Sequence, residues 1–140
     1  MRLPLRHSAL SIQPSAFTPL LLTLLLLTTG CSNKDEAYKK SVRPLYDSLT
    51  KIRDDIHDGK ISPAFSDDCD AATVLLDKTR HDLNGEDAAR NSFVHMQDAL
   101  EGYVALRSIA SRAAPDKITL MANGAAADLD KARASLDKGD

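Results

Sequence analysis

Aromatic residues are scarce in this sequence, with three Phe, three Tyr and no Trp among 140 residues. So few large rings argue against a large hydrophobic binding pocket. Strand signals are also missing, because β-branched residues are few, no run alternates, and no hairpin dipeptide separates two apolar strands. The Gly-x-Ser-x-Gly motif and glycine-rich phosphate loops are absent. These absences predict an all-α fold and argue against an enzyme.

Cofactor motifs are missing as well. The sequence has no Cys-x-x-Cys-His for haem attachment and no Asp-x-Asp-x-Asp-Gly loop for calcium. His57, His81 and His95 fall at different heights of the predicted helices, where they do not converge on a metal. Met96 and Met121 lie on apolar seams, where methionine fills irregular gaps in a core. We therefore expect neither a metal nor a cofactor.

Charge of both signs is mixed along the chain, with 18 basic and 20 acidic residues and a net charge of −2. Such a mixture lacks the basic footprint of a nucleic-acid-binding protein. It also provides no polybasic patch for anionic lipids. Partners made of nucleic acid are therefore not expected.

An apolar run over residues 20–27 follows Arg2 and Arg6 and precedes small residues. The order basic, apolar, small is typical of a secretory signal. The residues Thr28-Thr29-Gly30-Cys31 resemble the lipobox of bacterial lipoproteins, although Thr28 stands where leucine is more usual. The resemblance implies cleavage between Gly30 and Cys31 and a lipid on Cys31. It also implies an envelope location, and Ser32 resembles the pattern of outer-membrane lipoproteins that face the periplasm.

The alternative interpretation of this run is a transmembrane helix. Counted from Ala16 to Thr29 it has 14 residues, against the roughly 20 that a bilayer core requires. We therefore predict a cleaved signal over residues 1–30, a lipidated cysteine and short tether over 31–36, and one helical domain over 37–140. Arg2 and Arg6 would leave with the signal while every acidic residue stays, so the mature chain would carry a net charge of −4.

Four segments of the mature chain show the 4-3 spacing of a helix with one apolar face. They span residues 35–58, 63–83, 86–113 and 116–138, and their seams are centred on Leu45, Cys69, Met96 and Leu129. The connections are short, which makes consecutive helices antiparallel neighbours. The predicted fold is an up-down-up-down four-helix bundle, and the alternative is a three-helix bundle with a detached N-terminal helix.

Several residues are expected to bend, start, weaken or end these helices. Pro44 favours either a kinked helix, which we prefer, or a helix that starts with Ser41 as its N-cap. Gly59 is expected to end the first helix, and Ser62 and Pro63 to start the second. Gly102 is expected to weaken the third helix. A further set is expected to shape the fourth: Asp116 as its cap, Asn123 and Gly124 as an interruption, and Lys138, Gly139 and Asp140 as a frayed end.

Cys69 is left without a partner once Cys31 carries a lipid. Its place on the seam with Phe65 and Ala72 predicts a buried, inert thiol rather than a nucleophile. The neighbouring carboxylates Asp67, Asp68 and Asp70 are explained by their position near the start of the second helix, where the helix dipole stabilises negative charge.

Two functions remain compatible with these residues. The first is a membrane-anchored, non-catalytic lipoprotein whose helical domain binds an envelope protein or has a structural role there. The second is a small-ligand-binding bundle with a cavity beside Phe93, Tyr103 and Leu129. An exposed apolar strip would favour the first, and an enclosed cavity the second.

Overall fold

The computed structural model describes the backbone of residues 18–140 and the side chains of residues 33–140. Helix α1 spans Thr18–Asp54, α2 spans Phe65–Asp82, α3 spans Asn91–Ile109 and α4 spans Pro115–Lys138. Strands β1 (Ile56–His57) and β2 (Lys60–Ile61) connect α1 to α2, and a 3-10 turn at Asp87–Ala89 precedes α3. The expectation of an all-α fold is therefore confirmed at the level of its class. Residues 1–17 of the predicted signal sequence lie outside the described backbone, and the described side chains begin after the predicted cleavage and lipidation positions Gly30 and Cys31 and after Ser32.

The predicted seams form one core within residues 34–140. Each of the four helices contributes three or more fully or almost fully buried side chains to it. The largest of them are Tyr103, Phe65, Phe93, Leu45, Leu49 and Ile52. At about 1.5–3 kcal/mol for each large apolar side chain removed from water, this shared core is what holds the helices together.

Helix α1 continues through Pro44. The proline ring is exposed, and it removes the N–H that would otherwise pair with the carbonyl of Lys40. Tyr38 and Val42 before the proline, and Leu45 and Leu49 after it, are all buried in the same core. The free energy gained by burying these side chains on both sides of the proline exceeds the roughly 3 kcal/mol that an internal proline costs. The helix therefore does not start with Ser41 as its N-cap, and the kink expected at Pro44 stays a prediction.

The connection between α1 and α2 is a β-hairpin with a two-residue turn, although no strand is expected from the sequence. Ile56 pairs with Ile61 and His57 with Lys60. Asp58 and Gly59 form the turn with φ values of 51° and 71°, the left-handed conformations of a type I′ turn, for which Asp-Gly is a preferred pair. Gly59 therefore lies in the hairpin turn, and the expectation that it ends the first helix was wrong. A Cβ at this position would lie 2.7 Å from the carbonyl oxygen of Pro115, so the hairpin also packs against the start of α4.

The predicted helix starts were wrong at three places. Helix α2 begins at Phe65 with Ala64 as its cap and no side-chain hydrogen bond, while the Ser62 carbonyl accepts from the Phe65 N–H at 3.2 Å. The 3-10 turn delays α3 to Asn91, because the Asn84 side chain accepts from the backbone of both Glu86 and Asp87. Helix α4 begins with Pro115 at its first turn rather than with Asp116 as the cap, as expected for a residue that lacks an N–H.

Helix α4 also differs from expectation along its length. It runs through Asn123 and Gly124 without interruption and ends at Gly139, whose φ of 79° is left-handed. The expected fraying is not seen, since the Asp140 carbonyl accepts from the Ser92 N–H at 3.2 Å and its carboxylate accepts from Asn91 at 2.6 Å. The C-terminal residues are therefore tied to the start of α3.

Helices α3 and α4 pack more extensively on each other than α3 packs on α2. A Cβ added to Gly102 would lie 2.9 Å from the Cβ of Ala125. Gly102 is thus not simply a weak point in α3. Its missing side chain, together with the small residues of α4, permits a close approach of the two backbones.

Candidate functional site

Several open grooves run between helices in the described part of the chain, and two of them bear on function. The first, the α1–α4 groove, has a volume of about 440 Å³. It is lined by Lys39, Arg43, Tyr46, Asp47, Thr50, Arg53, Arg133, Leu136 and Asp137. Four of these side chains are cationic and two are anionic, in a chain whose net charge is negative. The groove is therefore a local concentration of positive charge.

The cations of the α1–α4 groove are weakly neutralised. Arg43 pairs with Asp47 at 3.3 Å, but the two side chains are 77% and 60% exposed, and such pairs contribute little. Arg53 reaches Asp54 and Asp130 only at 3.6 and 3.8 Å. Within residues 33–140, neither Lys39 nor Arg133 makes an ion pair.

The second groove, the α2–α3 groove, has a volume of about 550 Å³ and a mainly apolar lining. It is lined by Asp70, Thr73, Leu76, Leu100, Glu101, Val104, Ala105, Arg107 and Ser108. Arg107 links α3 to α2 at this groove, because it donates both to the Asp70 carboxylate and, at 3.4 Å, to the Ser66 carbonyl. Here the only cation in the lining is engaged by its neighbour.

An ion-pair network fastens the start of the helical domain. Arg90 donates to Asp35 at 3.0 Å, to Asp87 at 2.9 Å and to the Gly139 carbonyl at 3.3 Å. Its guanidinium lies 4.2 Å from the ring centre of Tyr38, and the Tyr38 hydroxyl is hydrogen bonded to Ser92 at 2.6 Å. Residue 35, predicted to belong to a tether, is therefore helical and held against the domain.

A pair of carboxylates lies where α1, the hairpin and α2 meet. Asp68 accepts from Lys51 at 2.8 Å through one oxygen. Its other oxygen, one oxygen of Asp55 and the hydroxyl of Ser62 are buried and have no hydrogen-bond partner of normal geometry. Burial, and then the adjoining Asp68, raise the pKa of Asp55, whereas the ammonium group of Lys51 lowers the pKa of Asp68.

Cys69 is fully buried on the core face of α2, as its seam position predicts. Burial raises the pKa of its thiol to about 11, against a smaller opposing effect of Arg107. A thiol that stays protonated at neutral pH is a poor nucleophile. Asp67 and Asp68 lie in the first turn of α2, where they were placed by the sequence.

The histidines and methionines considered as ligands are distributed over the fold. His57 lies in β1 and His81 in the last turn of α2, both highly exposed, while His95 lies in α3 with a mostly covered ring. Met96 is buried in the core and Met121 is half-buried against it. Among the described residues, no group of three or more His, Cys, Asp or Glu side chains is arranged to hold a metal ion.

The cavity expected beside Phe93, Tyr103 and Leu129 has no counterpart in the two grooves, since all three side chains are buried in the core and line neither of them. The Tyr103 hydroxyl is buried without a hydrogen-bond partner. Burial raises its pKa to about 12.

No helix in the described part of the chain is both long enough and apolar enough to cross a membrane. The chain matches no protein-family model, no curated protein and no solved structure.

Proposed function

We propose that this chain is a lipoprotein of the cell envelope, anchored through Cys31, whose non-catalytic helical domain binds another protein or has a structural role there. The lipobox-like residues 28–31 support the anchor, and Ser32 favours the outer membrane, facing the periplasm. The observation that supports the interaction role is that the α1–α4 and α2–α3 grooves are open and lie on a domain with one shared core. Open interhelical grooves suit a docked segment, whereas a small ligand is usually enclosed.

The proposal includes an up-down-up-down arrangement of the four helices. Ion pairs from Lys51 to Asp68 and from Asp70 to Arg107 support antiparallel α1–α2 and α2–α3 neighbours. The approach of Gly102 to Ala125, near the middle of both helices, supports the α3–α4 pair. The hydrogen bond from Tyr38 to Ser92 supports a parallel α1 and α3.

Acylation of Cys31 is tested by replacing it in the full chain. In Cys31→Ala we expect either unprocessed precursor or release of the domain from membranes, because the attachment atom is gone. Membrane fractionation and mass spectrometry of the N-terminal peptide measure both. The matched control is Cys69→Ala, which removes a buried thiol and leaves the anchor in place. An unmodified chain beginning at Met1 in the membrane fraction would contradict the lipoprotein assignment.

A further inference from the structure

We propose that the α1–α4 groove binds an acidic segment of a partner protein, and this inference depends on the interaction role proposed above. The first support is charge. The lining has two more cations than anions in a chain with a net charge of −2. Complementary charge across an interface steers association and selects the partner, so a groove of this sign favours a negatively charged occupant.

The second support is that these cations are available to a partner. Lys39 and Arg133 have no ion-pair partner within residues 33–140. The ion pair of Arg43 is exposed, and the ion pairs of Arg53 are longer than 3.5 Å. A partner would therefore displace few existing interactions. The cation Arg90 is different, since two carboxylates, a carbonyl and a ring already surround it.

The third support is spacing. Lys39 and Arg53 are fourteen residues apart on α1, which is about 21 Å at 1.5 Å per residue. Cations spread over this length suit a ligand with several separated carboxylates, while a single phosphate would contact only one or two of them. The half-buried side chains of Tyr46 and Leu136 lie between them and offer apolar contact to the same segment. An amphipathic acidic helix or strand satisfies both requirements.

The α2–α3 groove lacks these features. Its lining contains Asp70 and Glu101, and its cation Arg107 is paired with Asp70. The groove is apolar, but its charge does not select an occupant.

The experiment places a photo-crosslinking amino acid at Thr50 of the full chain in intact cells, with Thr73 as the matched control. Both threonines donate to the carbonyl four residues earlier, at 3.0 and 2.8 Å, and each lines one of the two grooves. We expect Thr50 to crosslink to a protein, and mass spectrometry to locate the adduct in a segment rich in Asp and Glu.

Charge reversal then tests the cause. Lys39→Glu with Arg133→Glu should reduce the Thr50 crosslink by about tenfold, because two attractive contacts become repulsive. Lys78→Glu with Lys117→Glu makes the same charge change at exposed positions outside the groove and should leave the crosslink unchanged. Circular dichroism melts should show that both double variants stay folded.

Each contrary outcome has a distinct meaning. The inference is overturned if the Thr50 adduct survives the charge reversals at Lys39 and Arg133. It is also overturned if the adduct maps to a segment without acidic residues or contains only lipid. Protein adducts from Thr73 alone also overturn it but leave the interaction role standing. If neither position gives a protein adduct, both the inference and the interaction role are contradicted.

Discussion

The thiol of Cys69 lies in the apolar core, and this placement determines how the residue reacts. In the folded domain we expect slow labelling by a thiol reagent and fast labelling after denaturation, because burial holds the thiol pKa at about 11. Cys69→Ala should lower the free energy of unfolding by about 1 kcal/mol, the cost of removing one small buried group. Timed labelling with and without denaturant, and denaturant titration of the variant, measure these effects. Fast labelling of the native chain would contradict the core position.

The carboxylate pair of Asp55 and Asp68 makes stability depend on pH. The pKa of Asp55 is raised in the fold, so its favourable contribution is present below its unfolded pKa and is lost as pH rises through the folded value. The pKa of Asp68 is lowered, so its contribution is present above its unfolded pKa and is lost as pH falls through the folded value. As pH falls into the acid range, the Asp55 effect therefore raises stability and the Asp68 effect lowers it.

Asp55→Asn should remove the first effect only. The amide can donate to the free oxygen of Asp68, so we expect a gain of about 1 kcal/mol or less at neutral pH and a smaller loss of stability as pH rises from the acid range. Denaturant midpoints between pH 3 and pH 8, a range set by roughly the normal Asp pKa of 3.9 and neutrality, measure it. Asp67→Asn, at an exposed neighbouring position, is the control. Equal pH profiles for the two variants would show that the pair does not interact.

Two helical glycines separate helix propensity from packing. Gly124 has open space at its Cβ position, so Gly124→Ala should stabilise the domain by up to about 1 kcal/mol. Gly102→Ala gains the same propensity but forces a methyl group to within 2.9 Å of the Ala125 Cβ, and overpacking of this kind costs about 1–3 kcal/mol. Thermal melts of the two variants should therefore move in opposite directions. A stabilised Gly102→Ala would mean that α3 and α4 can separate at little cost.

At the scale of the elements, the sequence predicted which faces are buried better than where the helices begin. The 4-3 spacing around Leu45, Cys69, Met96 and Leu129 identified core positions because the apolar residues of a helix that packs on one face recur with the helical period. The predicted helix starts were wrong where several residues compete as caps. Ser62 and Pro63 resemble a start, yet the hairpin before them positions the chain so that α2 begins at Phe65.

One local signal was present and was misinterpreted. Asp58-Gly59 is a type I′ turn pair between Ile56 and Ile61, but two-residue strands are too short to show alternation. A glycine after a long helix was therefore interpreted as a helix stop.

The candidate sites were harder to predict than the fold because their members are distant in sequence. Arg90 and Asp35 are 55 residues apart. The residues that line the α1–α4 groove come from the first and the last helix in the sequence. No spacing rule connects such residues before the helix arrangement is known. Asp55 and Asp68 likewise come together only through the hairpin between them.

For the molecule as a whole, the proposed helix order can be measured directly. In a Cys69→Ala background, cysteines at Thr50 and Arg133 should be joined readily by a short bifunctional thiol reagent, because both positions line the α1–α4 groove. Cysteines at Thr50 and Thr73 line different grooves and should be joined far more slowly. Peptide mapping of the crosslinked chain distinguishes the pairs. Equal rates for both pairs would contradict the proposed arrangement.

The close approach of α3 and α4 also bears on the order in which the chain folds. Only residues 110–114 separate these helices, so little loop entropy is lost when they meet. Gly102 and Ala125 allow the two backbones to approach closely. We expect this helical hairpin to be the folding nucleus on which α1 and α2 condense, with the clash-sensitive pair of small residues controlling the folding rate as well as the stability.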